Sequence, residues 1–242
     1  MLTWLSLALK RRITLYPGAM VRRRAVLPRL LALTPQQGIV LDVGCGAGTT
    51  LAFLARKRPQ VRLYGVDFDR ERIYDAQKVC APYKNITLIC GDVAKAHLPE
   101  NLDLICCSEL LEHLPDPSLV VKRLSQALKP GGYLLLHTPH IPKHYSLKPR
   151  HPRWKDPGHF RDGFTTEELR ASLTSAGLQI VEVQYTFGLF GALAWELPMV
   201  LFQSLPLRLV NLLLFPATAL LSLLDTVHHN RCGNGILIVS RK

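Results

Sequence analysis

The chain has 242 residues, 48% of them hydrophobic and 20% charged, with 30 Lys and Arg against 18 Asp and Glu for a formal charge of +12. These fractions exclude a wholly disordered chain, and the length suffices for one α/β domain with an insertion and a core that needs no disulfides. The positive balance leaves nucleic acid, anionic lipid and anionic substrates open as partners, beside the plain alternative of a solvated basic face.

Taken from the N-terminus, Met1 to Leu9 is apolar, but its charges follow it and no small-residue cleavage site appears, so it does not read as a cleaved signal. No Asp or Glu precedes Asp42, whereas Lys10, Arg11, Arg12, Arg22, Arg23, Arg24 and Arg29 all do. Residues 1–35 therefore read as a basic amphipathic segment. From Gly38 onward, short apolar runs alternate with helical spacing. Strands are expected at Gly38 to Val43, Val61 to Asp67, Ile86 to Cys90, Leu102 to Cys107 and Tyr133 to Thr138. Helices are expected over Leu51 to Lys57 and Arg70 to Val79, and again after Asp116, which can cap a helix with Pro117 in its first turn. Lys129-Pro130-Gly131-Gly132 should break that last helix. Thr165 and Glu168 have capping-box spacing for a helix that ends near Gly177, followed by strands at Leu178 to Tyr185 and Gly235 to Ser240. Alternation of this kind predicts a parallel sheet covered by helices. The six cysteines lack metal-ligand spacing and read as reduced thiols of a cytoplasmic protein.

The segment Leu41-Asp42-Val43-Gly44-Cys45-Gly46-Ala47-Gly48-Thr49-Thr50 follows a strand and opens a helix. Glycines there let the backbone turn sharply and approach a ligand closely. A dinucleotide fingerprint would put its third glycine at position 49, which is Thr49, so the spacing favours a nucleoside without a pyrophosphate. Asp67 ends the second strand, where a carboxylate can accept from ribose hydroxyls. Asp92 ends the third, where one can accept from an adenine amino group.

These residues resemble the class I S-adenosylmethionine-dependent methyltransferases, specifically the type 11, ubiquinone-pathway-like group. The resemblance runs over about residues 36 to 187 plus the last strand. It is carried by Asp42 to Gly48, Asp67, Gly91-Asp92, Leu111-Glu112-His113-Leu114-Pro115-Asp116 and Leu128-Lys129-Pro130-Gly131-Gly132. It implies an α/β fold: a doubly wound, Rossmann-like, seven-stranded sheet whose last strand, Gly235 to Ser240, runs antiparallel between the fifth and sixth. It also implies S-adenosyl-L-methionine as cofactor. The implied binding set is Asp42, Gly44, Cys45, Gly46, Gly48, Asp67, Phe68, Asp92, Val93 and Ser108, with Gly44 and Gly46 under the methionine moiety and Phe68 against adenine.

Histidines supply the candidates for catalysis. His159, in Gly158-His159-Phe160-Arg161, and His113 are candidate general bases, with structural or substrate-positioning roles as the alternative. Glu109, Glu112 and His113 have spacings that would share one helical face, and they resemble the divalent-metal cluster of the ubiquinone-pathway enzymes. A Glu-His-Leu run without metal is the competing reading. His137 and His140 flank Pro139 on the substrate side, with no role assigned.

Residues 188–232 form a hydrophobic insertion between the last two strands, and 233–242 complete the sheet. Leu209 to Leu224 is uncharged, but at about sixteen residues with Pro216 inside it falls short of a membrane span. An interfacial or re-entrant helical pair fits better, placed as a lid over the substrate site, with a helical cap buried against the domain or a dimer partner as the alternative. The basic cluster of Lys143, Lys148, Arg150, Arg153 and Lys155 points the same way, toward peripheral contact with an anionic membrane. The expected function is methyl transfer to a small lipophilic acceptor, such as a quinone precursor, isoprenoid or lipid. Two alternatives stand beside it. RNA methylation is prompted by the charge, but the Cys106-Cys107-Ser108-Glu109 segment lacks the Asn/Asp-Pro-Pro-aromatic loop, and no nucleic-acid motif is visible. The other is a non-catalytic, membrane-associated nucleoside-binding protein.

Overall fold

The computed structural model describes residues 16–144, 147, 158–201 and 206–242. The apolar start and Lys10, Arg11, Arg12, Lys148, Arg150, Arg153 and Lys155 lie outside them. The chain divides into two compact units. One comprises residues 26–141, 158–184 and 235–242; the other comprises 1–25, 142–157 and 185–234.

The first unit holds the sheet. Its strands are β1 (Gly38–Val43), β2 (Val61–Asp67), β3 (Ile86–Cys90), β4 (Leu102–Ser108), β5 (Leu128–Pro139), β6 (Gln179–Thr186) and β7 (Gly235–Arg241), in the order β3-β2-β1-β4-β5-β7-β6. β1 pairs in parallel with both β2 and β4, and β7 runs antiparallel to β5. Central strands buried on both faces need continuous apolar runs, and Val40, Leu41, Val43, Leu104, Ile105, Cys106 and Cys107 are all buried. The order reverses between β1 and β4. This leaves a crevice at their carboxyl ends, where open α/β sheets bind ligands.

The helices before the insertion are α1 (Pro17–Leu33), α2 (Thr49–Lys57), α3 (Arg70–Cys80), α4 (Pro117–Ala127) and α5 (Thr166–Ser175), and the last three begin at a side-chain cap. Asp69 caps α3 by accepting from the Glu71 and Arg72 N–H groups, and Asp116 caps α4 by accepting from Leu119 N–H at 3.0 Å. Both halves of the Thr165–Glu168 capping box are present, at 3.1 and 2.9 Å, and Gly177 closes the far end of α5 at φ +79°.

α4 ends at Ala127, just before Lys129 to Gly132, as expected, but the segment itself is not a bare break. It forms the first part of β5, which starts at Leu128 instead of Tyr133. The C-terminus recruits it: Gly131 N–H donates to the Lys242 carbonyl at 2.8 Å and Lys242 N–H to the Gly132 carbonyl at 2.9 Å. The irregularity survives as a register shift in the β4–β5 pairing between Leu102 and Leu104.

The second unit contains helices α6 (Leu189–Val200), α7 (Leu207–Leu213) and α8 (Phe215–Val227). Its centre is polar. Asp225, 3% exposed, accepts from Phe187 N–H and Gly191 N–H at 3.0 Å each and from Asn230 Nδ2 at 3.1 Å. A Cβ at Gly191 would lie 2.7 Å from that carboxyl group, so only glycine admits it. Asp225 thereby caps α6 from 34 residues away in sequence. No helix among the described residues is long and apolar enough to cross a membrane.

Candidate active site

The loop after β1 is held in a conformation that only glycines adopt readily. Gly44, Gly46 and Gly48 have φ of +70°, +52° and +72°. The three do different work. A Cβ on Gly48 would strike Cys80 Sγ at 2.7 Å, so Gly48 lets α3 pack close. A Cβ on Gly46 would meet only Arg72 Nη1, at 3.5 Å, so that side of the loop is open to a ligand. Gly44 and Cys45 both donate N–H to the Val66 carbonyl, at 2.8 and 3.1 Å, tying the loop to the end of β2.

Asp67, 8% exposed, clamps the loop from below. Its Oδ2 accepts from Gly46 N–H at 2.8 Å and its Oδ1 from Asp69 N–H at 3.0 Å. A carboxylate has about four acceptor positions, so two remain. Phe68, beside it, is 73% exposed. Asp92 is exposed and caps its own turn through Ala94 N–H at 2.9 Å, while Val93 is buried. Ser108 ends β4, half-buried, in register with His137. An open glycine face, acids at two neighbouring strand ends and an uncovered aromatic fit the nucleoside that the sequence implies.

Asp42 and Cys45 are buried, so they support the loop from within and present little surface to a ligand. Burial pushes the Asp42 carboxyl up to about 7, opposed by a hydrogen bond with Cys106 and reinforced by the charge of Asp67. Burial likewise raises the Cys45, Cys106 and Cys107 thiols, which holds them protonated and inert. All six cysteines are free.

The acidic and histidine residues after β4 group differently from the expected single helical face. Leu111–His113 is one turn of 3-10 helix, and Glu109 lies outside it with φ +53°. Its carboxylate turns to the buried His137, whose Nδ1 is 2.9 Å from Oε1. Glu112, fully buried, accepts from Thr138 Oγ1 at 3.1 Å. His113 approaches the Gly158 carbonyl through Nδ1 at 3.0 Å, and its ring meets that of His159 edge-on, centroids 4.4 Å apart. Phe160 N–H, donating to the Glu112 carbonyl at 2.9 Å, fastens the two segments together.

The cluster that forms is thus Glu112, His113 and His159, each offering a ligand atom within 4.8 Å of the others, with Glu109 outside it. A carbonyl only accepts, so His113 Nδ1 is the donor in this bond. His140 is buried, its Nε2 3.2 Å from Thr166 Oγ1. The Glu109–His137 and His113–Gly158 partnerships leave no mark in the sequence, because 28 and 45 residues separate the partners.

A family model described as "Methyltransferase domain" matches residues 19–183. A ubiquinone biosynthesis O-methyltransferase of Xanthomonas euvesicatoria pv. vesicatoria (strain 85-10) is 32% identical over 164 residues, covering 60% of this chain and 64% of that enzyme. The match therefore spans less than two-thirds of the relative's length. Among solved structures, the N-methyltransferase NodS from Bradyrhizobium japonicum WM9, in complex with S-adenosyl-L-homocysteine, is similar with a TM-score of 0.57 and 22% identity, covering 91% of this chain and 86% of that one. The [4+2]-cyclase SpnF is similar with a TM-score of 0.63 and 18% identity, covering 92% and 80%. At such identities the likeness is one of fold. A cyclase on the same fold shows why the reaction has to be argued from the site.

Proposed function

This chain belongs to the class I S-adenosylmethionine-dependent methyltransferase family, and we propose that it methylates an oxygen of a small lipophilic acceptor. The observation that carries the proposal is the His113–His159 pair, set just past the end of β4, with His113 Nδ1 the donor to the Gly158 carbonyl. When bound, S-adenosyl-L-methionine supplies a methyl group on a sulfonium, a donor that is already activated. The chain's own residues have two tasks, alignment and removal of the acceptor's proton.

On the donor side, the Gly44–Gly46 backbone accommodates the methionine end. Asp67 accepts from the ribose hydroxyls, and Phe68 covers one face of the adenine. Asp92 and Val93 meet the adenine edge, and Ser108 stands near the methionine end. On the acceptor side, His113 Nε2 takes the proton from the acceptor hydroxyl while His159 fixes its ring. Loss of such a base costs typically about 10²–10⁴-fold in rate. His113→Ala should therefore lower kcat by that factor with little change in cofactor affinity.

A second reading has an observation of its own. Glu112, His113 and His159 have the donor types of a divalent-cation site. The cation would lower the pKa of a coordinated acceptor hydroxyl. Chelation separates the two readings. A base mechanism keeps full turnover in excess chelator, whereas a metal mechanism loses it and regains it with magnesium.

The relative's name points to a lipophilic acceptor, and the basic excess to peripheral contact with an anionic membrane that presents it. Incubation with methyl-labelled cofactor and total lipid extract should put label in the organic phase. Label in RNA instead would move the assignment to nucleic acid. Cofactor binding without any transfer would leave a binding protein.

A further inference from the structure

We propose that α7 and α8 are a bilayer-docking surface, their exposed leucine face lying in the headgroup–acyl boundary of an anionic phospholipid membrane. The proposal deepens the lipophilic-acceptor reading, and rests on it for biological purpose only.

The polarity of α8 is inverted. Its exposed stripe is Pro216, Leu220, Leu223 and Val227, at helical spacing, with the last three 57%, 44% and 74% exposed. The opposite stripe, Thr218, Ser222 and Asp225, is 0–3% exposed. A helix on the surface of a water-soluble protein puts these faces the other way round. The inversion is fully bonded. Thr218 donates to the Phe215 carbonyl at 3.2 Å, Ser222 donates to the Ala219 carbonyl at 2.8 Å and accepts from Arg24 Nε at 3.0 Å, and Asp225 holds the start of α6. Buried polar groups with partners are the arrangement expected where the outward solvent is hydrocarbon. Helix α7, joined to α8 at Leu214, adds Leu212 and Leu213 at 46% and 57% exposure.

Charge selects the occupant. In sequence, the segments of the unit bearing these helices hold 13 Lys and Arg against 3 Asp and Glu, +10 of the chain's +12, and Arg22, Arg23, Arg24, Lys143, Arg208 and Arg231 are those among the described residues. Two of its three acids, Glu196 and Asp225, are buried. A second copy of the chain would set like charge against like. Anionic headgroups complement it. Arg231, exposed, follows the end of α8 at Val227. The geometry is interfacial. The 13 residues of α8 reach about 20 Å, short of the roughly 30 Å hydrocarbon core.

The test is flotation of the full chain with vesicles of phosphatidylcholine, alone or mixed with phosphatidylglycerol. The wild type should float with the mixed vesicles at low salt. Leu220→Glu with Leu223→Glu should lower the bound fraction about 10-fold or more, because each carboxylate would have to enter the interface. Leu220→Ile should bind as wild type. Both positions are exposed, so melting temperature and S-adenosylhomocysteine affinity should stay unchanged in all variants. Loss of that affinity in a floating wild type would sink the methyltransferase reading alone. A wild type that stays down with anionic vesicles, or a double variant that floats as well as wild type, overturns the docking surface. A wild-type dimer that does not float and that the double variant dissociates makes the face a self-association surface instead.

Discussion

Asp42 and Asp67 stand at neighbouring strand ends and obey different constraints. Asp42 is desolvated, and its carboxyl is pushed up to about 7 from a normal value near 4. The folded state therefore holds a proton that the unfolded state gives up. The resulting stability is fully present below about pH 4 and is lost as pH rises through about 7, a swing on the order of 2–4 kcal/mol. Asp42→Asn should flatten this component, so the variant gains melting temperature over wild type between pH 5 and 8. Parallel melting curves for the two proteins across that range would disprove the assignment. Asp67 is a ligand acceptor and a clamp at once. Asp67→Ala should cost about 1.5–3 kcal/mol of S-adenosylhomocysteine binding by calorimetry, since a charged acceptor is removed. It should also speed hydrogen exchange at Gly46, whose N–H loses its partner. Unchanged affinity in a folded variant would take Asp67 out of the site. Its place at a strand end was readable from the spacing of acids behind apolar runs. Its grip on Gly46 was not, because 21 residues separate the two.

At the scale of elements, the sequence was most informative where a signal is local. The Thr165–Glu168 box and the Asp116 cap lie within one helical turn of what they bond, and both formed as read. Lys129 to Gly132 was legible by half: α4 ends before its proline and glycines, but the start of β5 at Leu128 depends on the distant Lys242. Asp225 is the strongest case of a non-local cap. In sequence it reads only as the charge that ends an apolar run. In the fold it satisfies the backbone at the start of α6. Asp225→Ala should strand those buried N–H groups at about 1–3 kcal/mol each. Exchange protection over Leu189–Val200 should fall while β1 and β4 stay protected. Equal protection in variant and wild type would remove Asp225 as the unit's keystone.

Across the whole molecule the charge is divided very unevenly. The sheet unit is close to neutral, with 17 Lys and Arg against 15 Asp and Glu, and the other unit holds nearly all of the excess. Replacing residues 189–230 by a short Gly/Ser bridge should therefore leave a folded sheet, since β6 and β7 both remain. The shortened chain should keep cofactor affinity and lose the salt-resistant part of any vesicle binding. Calorimetry and circular dichroism read the first outcome, and an unfolded product would mean that the sheet depends on the insertion.

The sequence by itself determined the alternation of strands and helices, the glycine loop, the acids behind β2 and β3 and the apolar character of the insertion. All of these follow from short-range rules of period, capping and backbone freedom. Only the tertiary structure decided which histidine meets which acid. A 3-10 turn and a left-handed Glu109 broke the expected helical face, sending Glu109 to His137 and leaving Glu112 and His113 with His159. It also decided which way α8 faces. Leucine content shows that a helix is apolar, but the outward turn of Leu220 and Leu223 follows from where the Asp225 carboxylate finds its donors, 34 and 38 residues back along the chain.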